Sequence, residues 1–490
     1  KQKIVGWIKA DRPNPPMMVG SLRLTHPTNF GVKMELTNKN VLVVGLARTG
    51  VSTARFLVSR GAKVRVSDSS PADKLTKSLE DLKGLDLEIE TGRHTEGWFA
   101  SSDLIVVSPG VPLDIKPLSA AHNKGVEIIS EIELASRFIN EPVIAITGTN
   151  GKTTTTTLIG EILKKSGKKV FVGGNIGNPL IEYVLEDRKA DFIVAEISSF
   201  QLEGIKDFRP FISILLNITE DHLDRYPSMD AYIQAKGLIY RNQKHTDYAI
   251  ANADDILVKR LTKGIEPRKI GFSREREVVD GIYYRDGKIY SRPKGNLYEA
   301  ERFKIKGVHN IENAMASIAA CEIAGCGRDE IQAVLEAFHG LPHRVEFVAE
   351  IDGVSYYNDS KGTNIGATMS ALAGFKGNVI LLAGGKDKGG DYSVMIPLIQ
   401  EKVKGMVLFG EAREKINQSI GSYTDTVLAG NLNEAMEVAK KTAVRGDTVL
   451  LSPACSSFDQ FSGYAERGRK FVELVNAIKR VESETPPEGC

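Results

Sequence analysis

Apolar residues along this chain come in short, β-branched runs. Each run is closed by a glycine-containing or polar turn and leads into a stretch with helical spacing. The runs begin at Asn40, Lys63, Leu104, Val143, Val170, Asp191, Ile212, Ser355, Asn378, Met406 and Thr448. Their length and composition suit strands buried on both faces of parallel sheets. Between them, residues 51–60, 158–163, 229–239, 316–324 and 331–338 carry apolar positions three and four apart, as amphipathic helices do. One segment differs: residues 273–302 are charged and rich in Tyr and Gly, which predicts short antiparallel strands. Strands alternating with helices predict an α/β protein with mostly parallel sheets.

A chain of 490 residues predicts about three domains. The breaks fall near 131 and at Gly340-Leu-Pro-His-Arg344, giving units of 34–130, 131–340 and 341–482. Residues 1–33 read as a separate extension, disordered or non-native. Asp11-Arg-Pro-Asn-Pro-Pro16 cannot be helix or central strand, no apolar signal-peptide region exists, and Met34 reads as the natural start. The Pro-containing tail, 483–490, is expected to be disordered. With 42% hydrophobic and 26% charged residues and a net charge of +2, no large electrostatic term favours nucleic acid or an anionic membrane. No run of 18 apolar residues exists, so no spanning helix is predicted. The four cysteines form no CxxC pair, which suits a reducing cytoplasm and argues against structural zinc. A monomer is expected.

The chemistry centres on Val143-Ile-Ala-Ile-Thr-Gly-Thr-Asn-Gly-Lys-Thr-Thr154. A buried strand ends at a glycine turn, and Lys-Thr opens a helix. Gly148, Thr149, Asn150 and Gly151 would present backbone N–H groups to an anion, aided by the helix N-terminus. Lys152 would hold terminal phosphates, Thr153 a Mg²⁺ ion, and Thr154 continues the cradle. The spacing departs from the general P-loop: two residues, not four, separate Gly148 from the Gly-Lys pair, and Ile146 fills the usual glycine position.

The run from Asn40 leads through Gly45-Leu-Ala-Arg-Thr-Gly50 into a helix and then a second strand ending at Asp68. This is a βαβ unit of nucleotide-binding type, although Ala47 replaces the middle glycine of the dinucleotide fingerprint. Arg48, Thr49, Asp68, Ser69 and Gly110 lie at strand ends, where ligands of open α/β sheets gather. Asn175, in the turn after the run from Val170, is a further candidate.

Glu196 lies inside an apolar strand, a costly place for a carboxylate unless it is paired or on a metal. His222 follows the next strand. A core ion pair for Glu196 and helix capping for His222 are the alternatives to a two-metal triphosphate site. Polar residues again crowd strand ends in the last third: Asp359, Lys361, Thr363, Lys388 and Ser457. Lys361 and Lys388 could neutralise an acidic amino acid, or could be solvated surface lysines.

Gly-Thr-Asn-Gly-Lys-Thr-Thr, Glu196-Ile-Ser-Ser-Phe-Gln-Leu202, Asn217-Ile-Thr-Glu-Asp-His-Leu-Asp224 and Tyr232-Ile-Gln-Ala-Lys236 resemble the Mur ligase family of ATP-dependent amino-acid ligases. The resemblance spans residues 34 to about 480. It implies a Rossmann-like first domain, a central P-loop ATPase-type domain with a mostly parallel sheet, and a Rossmann-like last domain. It implies ATP and two Mg²⁺ ions as cofactors. Thr153, Glu196, His222 and a carbamylated Lys236 would hold the metals, with Lys152, Glu196, His222 and Lys236 serving catalysis. Asn310 and Asn313 would surround adenine and ribose, with Arg344 reaching ATP from the hinge. Asn358-Asp-Ser-Lys-Gly-Thr-Asn364 and Ser452-Pro-Ala-Cys-Ser-Ser-Phe-Asp-Gln-Phe461 most resemble the D-glutamate-adding branch. There, Lys361, Thr363, Lys388, Ser457 and Tyr464 would surround D-glutamate, and Arg48 to Asp68 would take the uridine end of UDP-N-acetylmuramoyl-L-alanine. Tyr464 and Gly362 depart from the Phe and Ala common in that branch. A folylpolyglutamate-type ligase and a nucleotide-switched ATPase are the other functions weighed.

Overall fold

The structure, a computed structural model, describes residues 34–484 apart from 224 and 306. The expectations for residues 1–33 and for 485–490 lie outside the described residues. The last helix, Tyr464–Glu484, runs past the expected limit at 482.

Three sheets carry the chain. The first contains β1 (Asn40–Val44), β2 (Lys63–Asp68), β3 (Leu87–Thr91), β4 (Leu104–Val107) and β5 (Glu127–Ser130). All are parallel, in the order β3-β2-β1-β4-β5. Side chains alternate along β1. Val41 and Val43 pack into a cluster containing Phe56 and Leu57 of helix Arg48–Ser59, while Leu42 and Val44 pack with Phe99 and Leu118 on the other face. Burial on both sides explains the unbroken apolar run.

The second sheet contains β6 (Val143–Thr147), β7 (Val170–Gly174), β8 (Phe192–Glu196), β9 (Ile212–Leu215), β10 (Tyr248–Asn252), β11 (Arg268–Ser273), β12 (Gly281–Arg285), β13 (Lys288–Ser291) and β14 (Asn296–Glu299). Its order is β14-β13-β12-β11-β10-β9-β6-β8-β7. Pairing is parallel from β7 to β12, and β12–β14 form the antiparallel strands expected from residues 273–302. Ile144 and Ile146 pack with Leu158 and Ile159 of helix Lys152–Lys165 and with Met315 and Ile318 of helix Val308–Ile323.

The third sheet contains β15 (Glu346–Ile351), β16 (Val354–Asn358), β17 (Val379–Gly384), β18 (Val403–Phe409), β19 (Asp425–Leu428) and β20 (Thr448–Leu451), ordered β15-β16-β20-β17-β18-β19. Only β15 is antiparallel to its neighbour. The four strand-to-helix units expected here are β16, β17, β18 and β20. β15 and β19 add an edge strand on each side. No described helix is long and apolar enough to cross a membrane.

The first sheet is tied to the second through helix Glu131–Ser136, which follows β5. Glu133 is fully buried. Its Oε2 accepts the N–H groups of Lys206, Asp207 and Phe208 at 2.9, 3.0 and 2.9 Å, and its Oε1 accepts from Arg137 Nε at 3.0 Å. Removing this carboxylate leaves three amides and the Nε of Arg137 without their acceptor, while Arg137 keeps Glu127 at 2.7 Å. Glu133→Ala is therefore expected to lower stability by about 3–5 kcal/mol. Denaturant unfolding checks this; a loss under 1 kcal/mol would show that the junction does not depend on this carboxylate.

Candidate active site

The carboxyl end of β6 leads into a turn with two glycines in left-handed or extended conformations. Gly148 has φ 150° and Gly151 has φ 85°. A Cβ on Gly151 would lie 2.2 Å from Asn313 Oδ1, so only glycine lets helix Val308–Ile323 come this close to the loop. Asn217, just past β9, braces the same turn. Its Oδ1 accepts from Asn150 N at 2.8 Å and its Nδ2 donates to Asn150 O at 3.1 Å. Thr149 N donates to Asn217 O at 2.9 Å, and the Thr149 and Tyr232 hydroxyls are 3.1 Å apart. Protein groups thus brace the loop from three sides.

Lys152 Nζ donates to the carbonyls of Gly148 (2.9 Å) and Thr149 (2.7 Å). Lys236 Nζ, on helix Met229–Gly237, donates to the same Gly148 carbonyl at 2.9 Å. Burial, with the neighbouring Lys152 charge second, pushes the Lys236 ammonium well below the usual lysine range. Burial also lowers Lys152, although Glu196 and Asp221 partly restore it.

Glu196 closes β8 and is 2% exposed. One oxygen accepts from Asn175 Nδ2 at 2.8 Å, while Oε2 is buried with no hydrogen-bond partner. Among the described residues no lysine or arginine forms an ion pair with it, so the core ion-pair alternative does not hold there. His222 sits in a left-handed conformation (φ 58°), with its ring 4.8 Å from Phe200 and 6.1 Å from Tyr232. Burial lowers it to about 4, against a partial counter-effect from Asp221, so the ring is a neutral imidazole with a lone pair. It does not cap a helix. No cluster of three or more His, Cys, Asp or Glu groups suited to a metal exists among the described residues. A metal here would rely on one unpaired carboxylate oxygen, one neutral imidazole, a hydroxyl and whatever Lys236 becomes.

The last sheet reaches this centre. Arg344 Nη2 donates to Thr153 Oγ1 at 2.6 Å, so the hinge arginine touches the phosphate helix. Lys388 Nζ lies 3.1 Å from Asp221 Oδ1, and Asn364 Nδ2 donates to Asp221 Oδ2 at 3.0 Å. Lys361 Nζ stands 3.8 Å over the Tyr464 ring, a cation–π contact. Burial first, and Arg344 second, lower Lys361 to about 8. The result is one cavity of about 230 Å³ lined by Lys152, Lys236, Arg344, Lys361 and Lys388 against Glu196 and Asp221. Five basic groups facing two acids in a partly desolvated space favour a polyanion. A larger cavity of about 760 Å³ adjoins it through Asn150, Gly151, Arg344 and Lys361, and it contains Thr154, Asn310 and Asn313. Asn313 accepts from Thr155 and donates to Asn310 at 3.3 Å.

The remaining candidates lie as follows. Asn175, expected at the uridine end, lines the cationic cavity because its amide holds Glu196. The Asp68 carboxylate accepts the backbone N–H groups of Leu46 (2.6 Å) and Ser70 (2.7 Å), so it shapes the turn after β1. Arg48 bridges to Glu182 (3.4 Å) on the central unit. Thr49 lies beside it, and Ser69 and Gly110 are exposed at strand ends. Asp359 lines the larger cavity, accepting from Ser452 Oγ at 2.7 Å. Ser457 is buried and lines neither cavity. Asp221 and Asn364 were missed. Both lie inside motifs the sequence displays, but only the fold shows that they meet.

Family models match along most of the chain. The "Mur ligase MurD-like, N-terminal domain" matches residues 39–130, the "Mur ligase middle domain" 146–321, and the "Mur ligase, glutamate ligase domain" 343–455. A UDP-N-acetylmuramoylalanine–D-glutamate ligase from Geotalea uraniireducens (strain Rf4) is 52% identical over 447 residues, covering 91% of this chain and 99% of that protein. The chain belongs to the Mur ligase family. A protein of the same name from Thermoanaerobacter sp. (strain X514) is 44% identical over 454 residues, 91% of this chain and all of that one. Among solved structures, the UDP-N-acetylmuramate–alanine ligase MurC from Thermotoga maritima superposes with TM-score 0.58 at 20% identity, covering 90% of this chain and 100% of that chain. MurF from Acinetobacter baumannii gives 0.56 at 16%, covering 90% and 91%. These two establish that the Mur ligase fold is shared.

Lys152→Ala is expected to abolish ATP turnover while leaving the thermal midpoint within a few degrees, since the lysine bonds only the carbonyls of its own loop. Phosphate release alongside a melting curve checks both halves; near-normal turnover would remove Lys152 from the role.

Proposed function

We propose that this chain is an ADP-forming acid–amino-acid ligase that joins D-glutamate to UDP-N-acetylmuramoyl-L-alanine in cytoplasmic peptidoglycan precursor synthesis. The observation that carries this reading is the shared cavity. The phosphate loop of the central unit and the lysines of the last unit face one space, so phosphoryl transfer and amine capture can occur together. The curated relatives at about half identity bear this name over nearly their full length.

The chemistry follows from the groups. A carboxylate is a poor electrophile at neutral pH. Transfer of the ATP γ-phosphoryl group to the alanine carboxylate gives an acyl phosphate and ADP. The D-glutamate amine then attacks the carbonyl carbon, loses a proton, and phosphate departs. Lys152 and Arg344 would balance charge on the transferring group. Lys361 and Lys388 would receive the carboxylates of D-glutamate, Lys388 exchanging its Asp221 contact for the substrate's. The first sheet, with its glycine turn after β1, would hold the uridine end. Contacts between the last unit and Thr153, Asn150 and Asp221 hold these two units together around the site and limit access of water to the acyl phosphate.

Two Mg²⁺ ions would screen the triphosphate, held by Thr153, Glu196, His222 and Lys236. The unpaired Glu196 oxygen and the neutral His222 ring fit that use. Lys236 fits it only after conversion. Its depressed ammonium pKa supplies a neutral amine that can add CO₂, giving a carbamate and releasing a proton. Lys236→Ala is accordingly expected to lose activity that short-chain carboxylates partly restore; full activity without them rules out the carbamate.

Phosphate release should depend on D-glutamate together with the nucleotide substrate. Substituting L-alanine, meso-diaminopimelate, or folate with L-glutamate should give a small fraction of that rate. Release independent of any amino acid would instead favour a nucleotide-switched ATPase, and use of folate a folylpolyglutamate-type ligase.

A further inference from the structure

Arg467, in the helix Tyr464–Glu484, is fully buried, and no carboxylate pairs with it among the described residues. Its hydrogen bonds all run to the turns that close three strands. Nε donates to Ser360 Oγ (3.0 Å), Nη2 to Ser360 O (2.9 Å) and Cys455 O (3.1 Å), and Nη1 to Gly384 O (3.4 Å) and Ser456 O (3.3 Å). A guanidinium carries five N–H donors, so this one is saturated by five acceptors. The three turns follow β16, β17 and β20. They carry Lys361 and Thr363, Lys388, and Ser457 respectively. Ser360 Oγ in turn donates to the main-chain carbonyl of Tyr464 at 2.8 Å, which anchors the start of the helix whose Tyr464 ring lies under Lys361.

We propose that Arg467 is the positioning residue of the acidic amino-acid site. It gathers three loops from three strands so that Lys361 and Lys388 converge, and it adds a buried positive charge behind a pocket for a dicarboxylate. Burial lowers its guanidinium only to about 10, so it stays charged at neutral pH. Lysine offers three donors from one point and cannot reach acceptors spread over three turns. The inference rests on the reading of this site as the D-glutamate site. It goes beyond that reading by assigning the geometry of the pocket to a residue that touches no substrate.

The test is steady-state kinetics of the full chain with Arg467→Lys and Arg467→Met, varying D-glutamate, ATP and the nucleotide substrate in turn, with melting curves for each variant. Loss of about two of the five bonds is expected to raise the KM for D-glutamate about 10- to 100-fold in Arg467→Lys. KM for ATP should stay within about twofold, because the phosphate loop is untouched. Arg467→Met should be worse on D-glutamate, or should fail to fold, in which case Arg467→Lys alone decides. A KM for D-glutamate within twofold of the parent in Arg467→Lys would overturn the proposal. So would a parallel rise in all three KM values with a lowered melting point, which is the mark of a merely structural residue. If the unaltered chain ignores D-glutamate, the functional reading fails instead, and that outcome is distinct from either result on the variant.

Discussion

Two lysine side chains share one carbonyl oxygen at the centre of this molecule. Lys152 and Lys236 both donate to Gly148, each at 2.9 Å. Neither has a carboxylate within ion-pair distance among the described residues, and three more cations face the same space. Such an arrangement is costly in a partly desolvated cavity unless a polyanion enters or one lysine stops being a cation. The pocket is therefore built in deficit. The triphosphate supplies most of the missing negative charge, and a carbamate on Lys236 would supply the rest while turning a repelled cation into a ligand.

The rest of the fold keeps that deficit in register. β6 brings the loop to the sheet's carboxyl edge, β8 brings Glu196, and β9 leads to Asn217, Asp221 and His222. Parallel strands put all three at the same edge, so residues 70 positions apart touch without long side chains. The last sheet repeats the device and delivers Arg344, Lys361 and Lys388 from the opposite side. Asp221 is the meeting point. It holds Lys388 and Asn364 across the gap, occupying the cation that an incoming carboxylate would take.

Much of this was legible in the chain because burial on two faces leaves unbroken apolar runs. β1, β6, β8, β9, β17 and β20 are such strands, and each was visible. The strands that escaped notice were mostly edges or mixed in character. β3, Leu-Glu-Ile-Glu-Thr, is an edge strand whose Glu90 is buried among hydrogen-bond partners, which breaks the apolar run, and β19 exposes Val427 and Leu428. β10 is central, but its alanines give a weak signal. The site divides in the same way. Gly148, Lys152, Thr153, Glu196 and His222 stand at strand ends and were found from pattern. Asp221 meets Asn364 and Lys388, 143 and 167 residues away, and Arg467 ties Ser360, 107 residues away, to nearer carbonyls; no local spacing encodes such pairing. Asn175 and Asp68 stand at strand ends as expected, and the fold adds partners that no local spacing encodes: Glu196 for the first, the backbone amides of Leu46 and Ser70 for the second.

On this reading the cationic cavity directs a phosphoryl group onto a carboxylate before an amine takes its place. Labelling the alanine carboxylate of UDP-N-acetylmuramoyl-L-alanine with ¹⁸O, and following the label by mass spectrometry of released phosphate, tests it directly. Each phosphate released with D-glutamate is expected to carry one labelled oxygen, the one that bridged carbon and phosphorus in the acyl phosphate. Unlabelled phosphate formed along with product would contradict it.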